Sequence, residues 1–225
     1  MNRNRYLIVF DYETDWSPDK IDVLGIVQIA AVPVDLRNLD ILSDEVFNID
    51  VRPDDIDSEG YIEAHSSTID WHSKQQNVSS NAVLDRWRAG VPEKDAWEEF
   101  YRYVKGYSKG GKFDQAPIAG GQNIRGFDLP ITERYNAKYS KRIPFAKREV
   151  FDLMDMSSVW FMFSSDRPKS ISLDNLRDFF NLSKIGAHDA KKDVIDCALL
   201  IKKFLTIYEK IAPRLTWRPE VPQNV

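Results

Sequence analysis

Two carboxylates, Asp11 and Glu13, stand two residues apart in the stretch VFDYETD, directly behind the apolar run YLIVF. Residues i and i+2 of a strand project from one face, so this spacing brings both acids into one small volume. Unpaired, they would repel and raise one another's pKa; hard divalent ions such as Mg²⁺ or Mn²⁺ prefer oxygen ligands of this kind. Alone, such a pair more often faces solvent. Two later segments add to it. GQNIRGFDLPITERY places Asp128 just inside a helix start, five residues after Asn123, and GAHDAKKDV supplies His188 and Asp193 where the last helix opens. Singly, Asp128 reads as a helix-start charge favoured by the dipole, and His188 as a structural junction residue. Together, four acids and an imidazole match what phosphodiester hydrolysis needs. Two metals about 3.5 to 4 Å apart stabilise the attacking and departing oxygens, and a histidine of pKa about 6.5 accepts the water's proton.

The elements that must position these residues follow from periodicity. Strands are predicted over 6–14, 23–34 and 44–51, an opening meander. Residues 52–90 form a polar helical excursion with amphipathic pieces at 68–76 and 81–88. DAWEEFYRYVKGY, 95–107, has the apolar spacing of one helix face. A Gly-rich basic loop, SKGGKFDQ, leads to a short strand in APIAGGQN that ends at Asn123. A helix follows over 127–139, with Pro130 in its first turn, then a strand in REVFDLMDM. Ser172 precedes a helix with Leu173, Leu176, Phe179 and Phe180 on one side, and HDAKKDVIDCALLIKKFLTIYEK is a long final helix. The tail from about 211 holds three prolines and reads as extended. Strands first, then alternating helix and strand, imply an α/β sheet covered by helices on both faces.

Bulk properties narrow the class. The 225 residues suit a single elaborated domain over 1–225, and 43% hydrophobic with 12% aromatic content excludes a disordered chain. No segment approaches the roughly 20 apolar residues of a membrane span. The apolar run before Asp11 is too short for a signal peptide. Cys197 is the one cysteine, which excludes an internal disulfide and fits a reducing, cytoplasmic compartment. A net charge of −4 argues against binding nucleic acid through overall basicity. Local lysines and bound cations can still receive phosphates; Lys109, Lys112, Lys191 and Lys192 are candidates.

FDYET, NIRGFD and HDAKKD, in this order, closely resemble the three motifs of the DEDDh exonuclease family, whose members include the proofreading subunits of replicative polymerases, ribonuclease T and oligoribonuclease. The resemblance runs from about Leu7 to Leu205 and includes VQIAAV and SLDNLRDFF. It implies a ribonuclease H-like mixed sheet in which Asp11, Glu13, Asp128 and Asp193 surround two divalent ions, Mg²⁺ or Mn²⁺. By position Asp11 would bridge both ions, Glu13 and Asp193 would complete the site holding the nucleophilic water, Asp128 would serve the second ion, and His188 would be the general base. It also implies a 3′–5′ exonuclease that releases nucleoside 5′-monophosphates from single-stranded DNA or RNA 3′ ends. DNA is placed first because no RNA module accompanies the motifs. The excursion at 52–90 is larger than in compact members, so substrate choice does not transfer.

Other positions carry two readings each. Thr14 is either a hydrogen-bond partner of the terminal 3′-hydroxyl or a β-branched strand residue. Trp16 either stacks on a terminal base or fills the core. Asn123 either orients Asp128 or finishes a strand; Gln28 reads as a polar strand position. Trp71 and His72 resemble a segment of ribonuclease T-like members, and His65 and His72 lie in the excursion. Trp160, Phe161 and Phe163 are expected to pack a helix on the sheet. Rival functions are an exoribonuclease of the ribonuclease T or oligoribonuclease type, a proofreading subunit docked on a polymerase through its tail, and an inactive adaptor. A homodimer partner is a further option. All five motif positions are filled, which weighs against the adaptor.

Overall fold

The computed structural model describes residues 6–16, 21–109 and 115–211. Its centre is β1 (Tyr6–Thr14), whose LIVF run is buried on both faces as befits an interior strand. It pairs antiparallel with β2 (Ile26–Asp35) and parallel with β6 (Ile118–Gly121). β2 also pairs with the short β3 (Asp40–Ile41) and with β4 (Phe47–Arg52), both antiparallel. β5 (Val91–Pro92) joins β4 in parallel, and β7 (Val150–Asp152) joins β6 in parallel. The order is β5-β4-β2-β1-β6-β7, with β3 paired to β2 off this path, a seven-stranded sheet that is mixed as the resemblance implies.

Strand alternation sorts β1 between two helical layers. Ile8, Phe10 and Tyr12 enter one core with Trp97, Phe100 and Val104 of α4 (Glu93–Gly106) and Ile131 and Tyr135 of α5 (Asp128–Lys138). Leu7 and Val9 enter the other, with Leu153 and Phe161 of α6 (Leu153–Met162), Leu176 of α7 (Leu173–Phe179), and Val194, Cys197, Ala198 and Ile201 of α8 (Ala190–Ile211). Asp11 and Glu13 share the parity of Leu7 and Val9, so the face that packs on α8 changes from apolar to acidic toward the end of the strand.

The excursion folds as α1 (Tyr61–Ala64), α2 (Ser66–Gln76) and α3 (Ser80–Ala89), with a small core of its own around Ile56, Ile69, Leu84 and Trp87. Its two longer helices match the amphipathic pieces in the sequence.

Three expectations need correction. β2 begins at Ile26, because the chain turns over 21–23 before it extends. REVFDLMDM holds a strand only over Val150–Asp152: the Asp152 carboxylate accepts a hydrogen bond from the Met154 amide at 2.9 Å and caps α6, so the chain is helical from Leu153. Of the three aromatics placed on that helix, Phe161 is buried, but Trp160 is 38% and Phe163 83% exposed, because α6 ends at Met162 and Phe163 lies past its packed turn. Residues 17–20, Lys112 and the tail at 212–225 lie outside the described residues. Among those described, no helix is long and apolar enough to cross a membrane.

Candidate active site

The acids of the first and third motifs meet where β1 and α8 both lose their apolar character. Asp193 lies one residue before Val194 and four before Cys197 on the stripe of α8 that packs against β1. One carboxylate oxygen from each of Asp11, Glu13 and Asp193 falls within 4.8 Å of the others. Asp128, at the start of α5, reaches the opposite side of β1. Its Oδ1 accepts a hydrogen bond from the Tyr12 amide at 3.1 Å, and the residue is 1% exposed. It lies outside the triplet within 4.8 Å but close enough that Asp11 and Asp128 feel each other's charge.

This crowding shows in the acids' proton affinity. Burial, then the charge of Asp193, pushes Asp11 up to about 7, against a small counter-effect from Arg177. Burial and then Asp11 hold Glu13 well above the usual carboxylate range, and burial and Asp11 do the same for Asp128. Asp193 is also raised by burial, opposed by Arg177. Four carboxylates that resist joint ionisation, offering only oxygen donors, are a chemically apt set for hard divalent cations.

His188 sits in the turn before α8 with φ of +64°, its amide toward Asp193 and its ring toward Asp174 and Trp71. Its backbone N–H donates to Asp193 Oδ1 at 3.2 Å, and its Nε2 lies 3.3 Å from Asp174 Oδ2. Trp71 meets the imidazole edge-on, with ring centroids 5.4 Å apart. The turn itself is fastened by Gln28 of β2, whose Oε1 accepts from the Ala190 amide at 3.3 Å and whose Nε2 donates to Asp189 at 3.4 Å. Gln28 had read as only a polar strand position; it anchors the third motif to the sheet.

Beside Glu13 opens a cavity of about 440 Å³, lined by Tyr12, Glu13, Thr14, Trp16, Ser67, Thr68, Trp71, His72 and Phe127. Thr14 and Trp16 both face it. Thr14 Oγ1 donates to the Trp16 carbonyl at 2.8 Å and, among the described residues, receives no donor on its lone pairs; Trp16 also tilts against His65, with centroids 4.1 Å apart. His72 is 1% exposed; its Nε2 lies 3.0 Å from the Thr14 carbonyl, and burial lowers its pKa, so it is a neutral wall of the cavity. His65 is buried against Tyr61. Asn123 turns the chain after β6 with φ of +54°. Its amide donates to Asp152 at 3.0 Å, and its carbonyl accepts from Gly126 and Phe127, just ahead of Asp128. Lys191 is exposed, and Lys192 pairs with Asp196 at 2.5 Å.

Two site residues escaped the sequence reading. Arg177 of α7 is fully buried and bonded to Asp193, and Asp174 touches His188. A signal was present: Leu173, Leu176, Arg177 and Phe180 have helical spacing, and a cation on an apolar stripe demands a buried acid.

No protein-family model matches the chain, and no curated protein matches it in sequence. Solved structures do match its fold. Cell-death related nuclease 4 (CRN-4) aligns with a TM-score of 0.64 and 15% identity over 90% of this chain and 64% of that one. E. coli Exonuclease I in complex with a dT13 oligonucleotide aligns at 0.66 and 17% over 93% of this chain and 43% of the other. The nuclease domain of 3′hExo, a DEDDh family member bound to rAMP, aligns at 0.61 and 14%, covering 92% of this chain and 94% of that domain. The chain thus spans less than two thirds of the first two nucleases but nearly all of the third. At these identities the likeness is one of architecture: the chain has the ribonuclease H-like α/β fold of these nucleases, one of which is a DEDDh family member.

Proposed function

We propose that this protein is a metal-dependent 3′–5′ exonuclease that removes nucleoside 5′-monophosphates from single-stranded nucleic acid, with DNA placed ahead of RNA. The observation that carries this reading is the convergence of Asp11, Glu13 and Asp193 within 4.8 Å, with His188 tied to Asp193, at the mouth of an aromatic-walled cavity. Asp11, Glu13, Asp193 and Asp128 would hold two divalent ions, Mg²⁺ or Mn²⁺. When bound, such ions supply Lewis-acid stabilisation to the oxygens of the displaced phosphodiester.

The chain's own groups do the rest. His188 takes the proton of the attacking water on an imidazole nitrogen, its turn held in place by the hydrogen bond that its backbone N–H donates to Asp193. Trp16, Trp71 and Phe127 offer apolar faces to the terminal base, which would make the site tolerant of sequence, because every base has a stacking face. Thr14 accepts from the terminal 3′-hydroxyl. The structures of E. coli Exonuclease I contain DNA oligonucleotides and that of 3′hExo contains rAMP, so both polymers belong in the test.

Single-stranded DNA and RNA oligonucleotides labelled at the 5′ end, incubated with the chain and Mg²⁺, should shorten one nucleotide at a time from the 3′ end, and EDTA should stop the reaction. Shortening of neither polymer would defeat the proposal. Copurification with a polymerase would favour the proofreading variant, whose proposed tether lies outside the described residues.

A further inference from the structure

We propose that Arg177 is a positioning residue of this site: its guanidinium holds Asp193 as a ligand through one oxygen only and ties the turn bearing His188 to α7. The inference rests on the exonuclease reading and adds a residue outside the three motifs.

Each of the three guanidinium nitrogens bonds a different acid. Arg177 is 0% exposed. Its Nη2 donates to Asp193 Oδ1 at 2.6 Å, its Nε to Asp196 Oδ2 at 2.7 Å, and its Nη1 to Asp174 Oδ1 at 2.8 Å. Asp193 Oδ1 already accepts the His188 amide at 3.2 Å. Two donors therefore occupy that oxygen, and Oδ2 is the atom left for a cation. The other end of the fork fixes Asp174, whose Oδ2 lies 3.3 Å from the His188 ring. One planar group thus sets both a proposed metal ligand and the carboxylate beside the proposed base.

A need for stability alone does not account for this residue. Buried ion pairs are a poor source of folding free energy, and an apolar side chain on the Leu173, Leu176, Phe180 stripe would pack there without a desolvation penalty. Pairing a buried Arg requires one acid, and Asp196, itself 2% exposed though shared with Lys192, supplies one. The further bonds to Asp193 and Asp174 are directed at the site. Only a guanidinium can make all three, since its donors diverge in one plane while an ammonium is a single point.

The test uses the metal-free chain titrated with Mn²⁺ by calorimetry, alongside kcat and KM on a single-stranded DNA oligonucleotide. Arg177→Lys keeps the charge and loses the fork. Its Mn²⁺ affinity should fall roughly 10- to 100-fold, the usual effect of removing a group that orients a metal ligand, and kcat should fall while KM holds. If the Lys variant does not fold, Arg177→Met with Asp196→Asn removes both buried charges with no change in net charge and should show the same two losses, while Asp196→Asn alone controls for the lost partner of Lys192. A folded variant of either kind that melts lower but binds Mn²⁺ and turns over as the parent does would overturn the proposal, because that is the signature of a structural role. A parent chain that binds Mn²⁺ yet shortens no oligonucleotide removes the exonuclease reading, and the titration still decides the role of Arg177.

Discussion

Asp11 combines two penalties that a lone surface acid escapes, burial and a like charge from Asp193, and both act in the absence of a cation. Its folded-state pKa of about 7 lies above the ordinary 3.8. The folded, metal-free chain therefore binds a proton that the unfolded chain gives up. The resulting stability is full below about pH 4 and is lost as pH rises through about 7. Asp11→Asn removes this dependence. In EDTA, the melting temperature of the variant should gain on the parent as pH rises from 4 to 7; a constant gap would show that Asp11 ionises normally. Under the exonuclease reading, Asp11→Ala and Asp193→Ala should leave no detectable shortening of an end-labelled strand. His188→Ala should slow the reaction by about 10²- to 10⁴-fold, the range for losing a general base, with Mn²⁺ binding retained in calorimetry. Loss of Mn²⁺ binding in the His188 variant would assign it a different role.

At the scale of elements, the excursion has its own apolar centre and donates Trp71 and His72 to the cavity wall, while the acids stand on β1 and α8. Perturbing that centre should loosen the wall and leave the acids alone. Leu84 is 4% exposed in the excursion core, and Leu84→Ala should cost about 2 to 5 kcal/mol in denaturant unfolding. Steady-state kinetics on the folded variant should show KM rising more than kcat falls. The opposite pattern would mean that the excursion acts on the chemical step, through the edge contact between Trp71 and His188.

For the whole molecule, acidic net charge and a concentrated acid cluster make cations a thermodynamic partner of the fold. Ions that bind only the folded chain stabilise it by mass action, about 2.7 kcal/mol at a hundred times Kd. Mg²⁺ or Mn²⁺ should raise the melting temperature in a concentration-dependent way, and Asp11→Ala should abolish the rise. An equal rise in parent and variant would place the binding elsewhere.

The sequence by itself determined the acids' common face, since the period of a strand is independent of what packs on it, and it placed Asp11 and Glu13 at the acidic end of an apolar β1. Periodicity located α4, α5, α8 and the two longer excursion helices to within a few residues, and the motifs carried the fold class. It ran the strand in REVFDLMDM too far, because the apolar residues there suit either state and the end of the strand hung on Asp152 capping α6. Gln28, Asp174 and Arg177 were the harder cases. Their partners lie across the fold or on a neighbouring helix, as with Gln28 and Ala190, or Arg177 and Asp193. A polar residue's partner is chosen by packing in three dimensions, and spacing along the chain carries no record of that choice. Only the tertiary structure could show that α7 holds α8's acid in place.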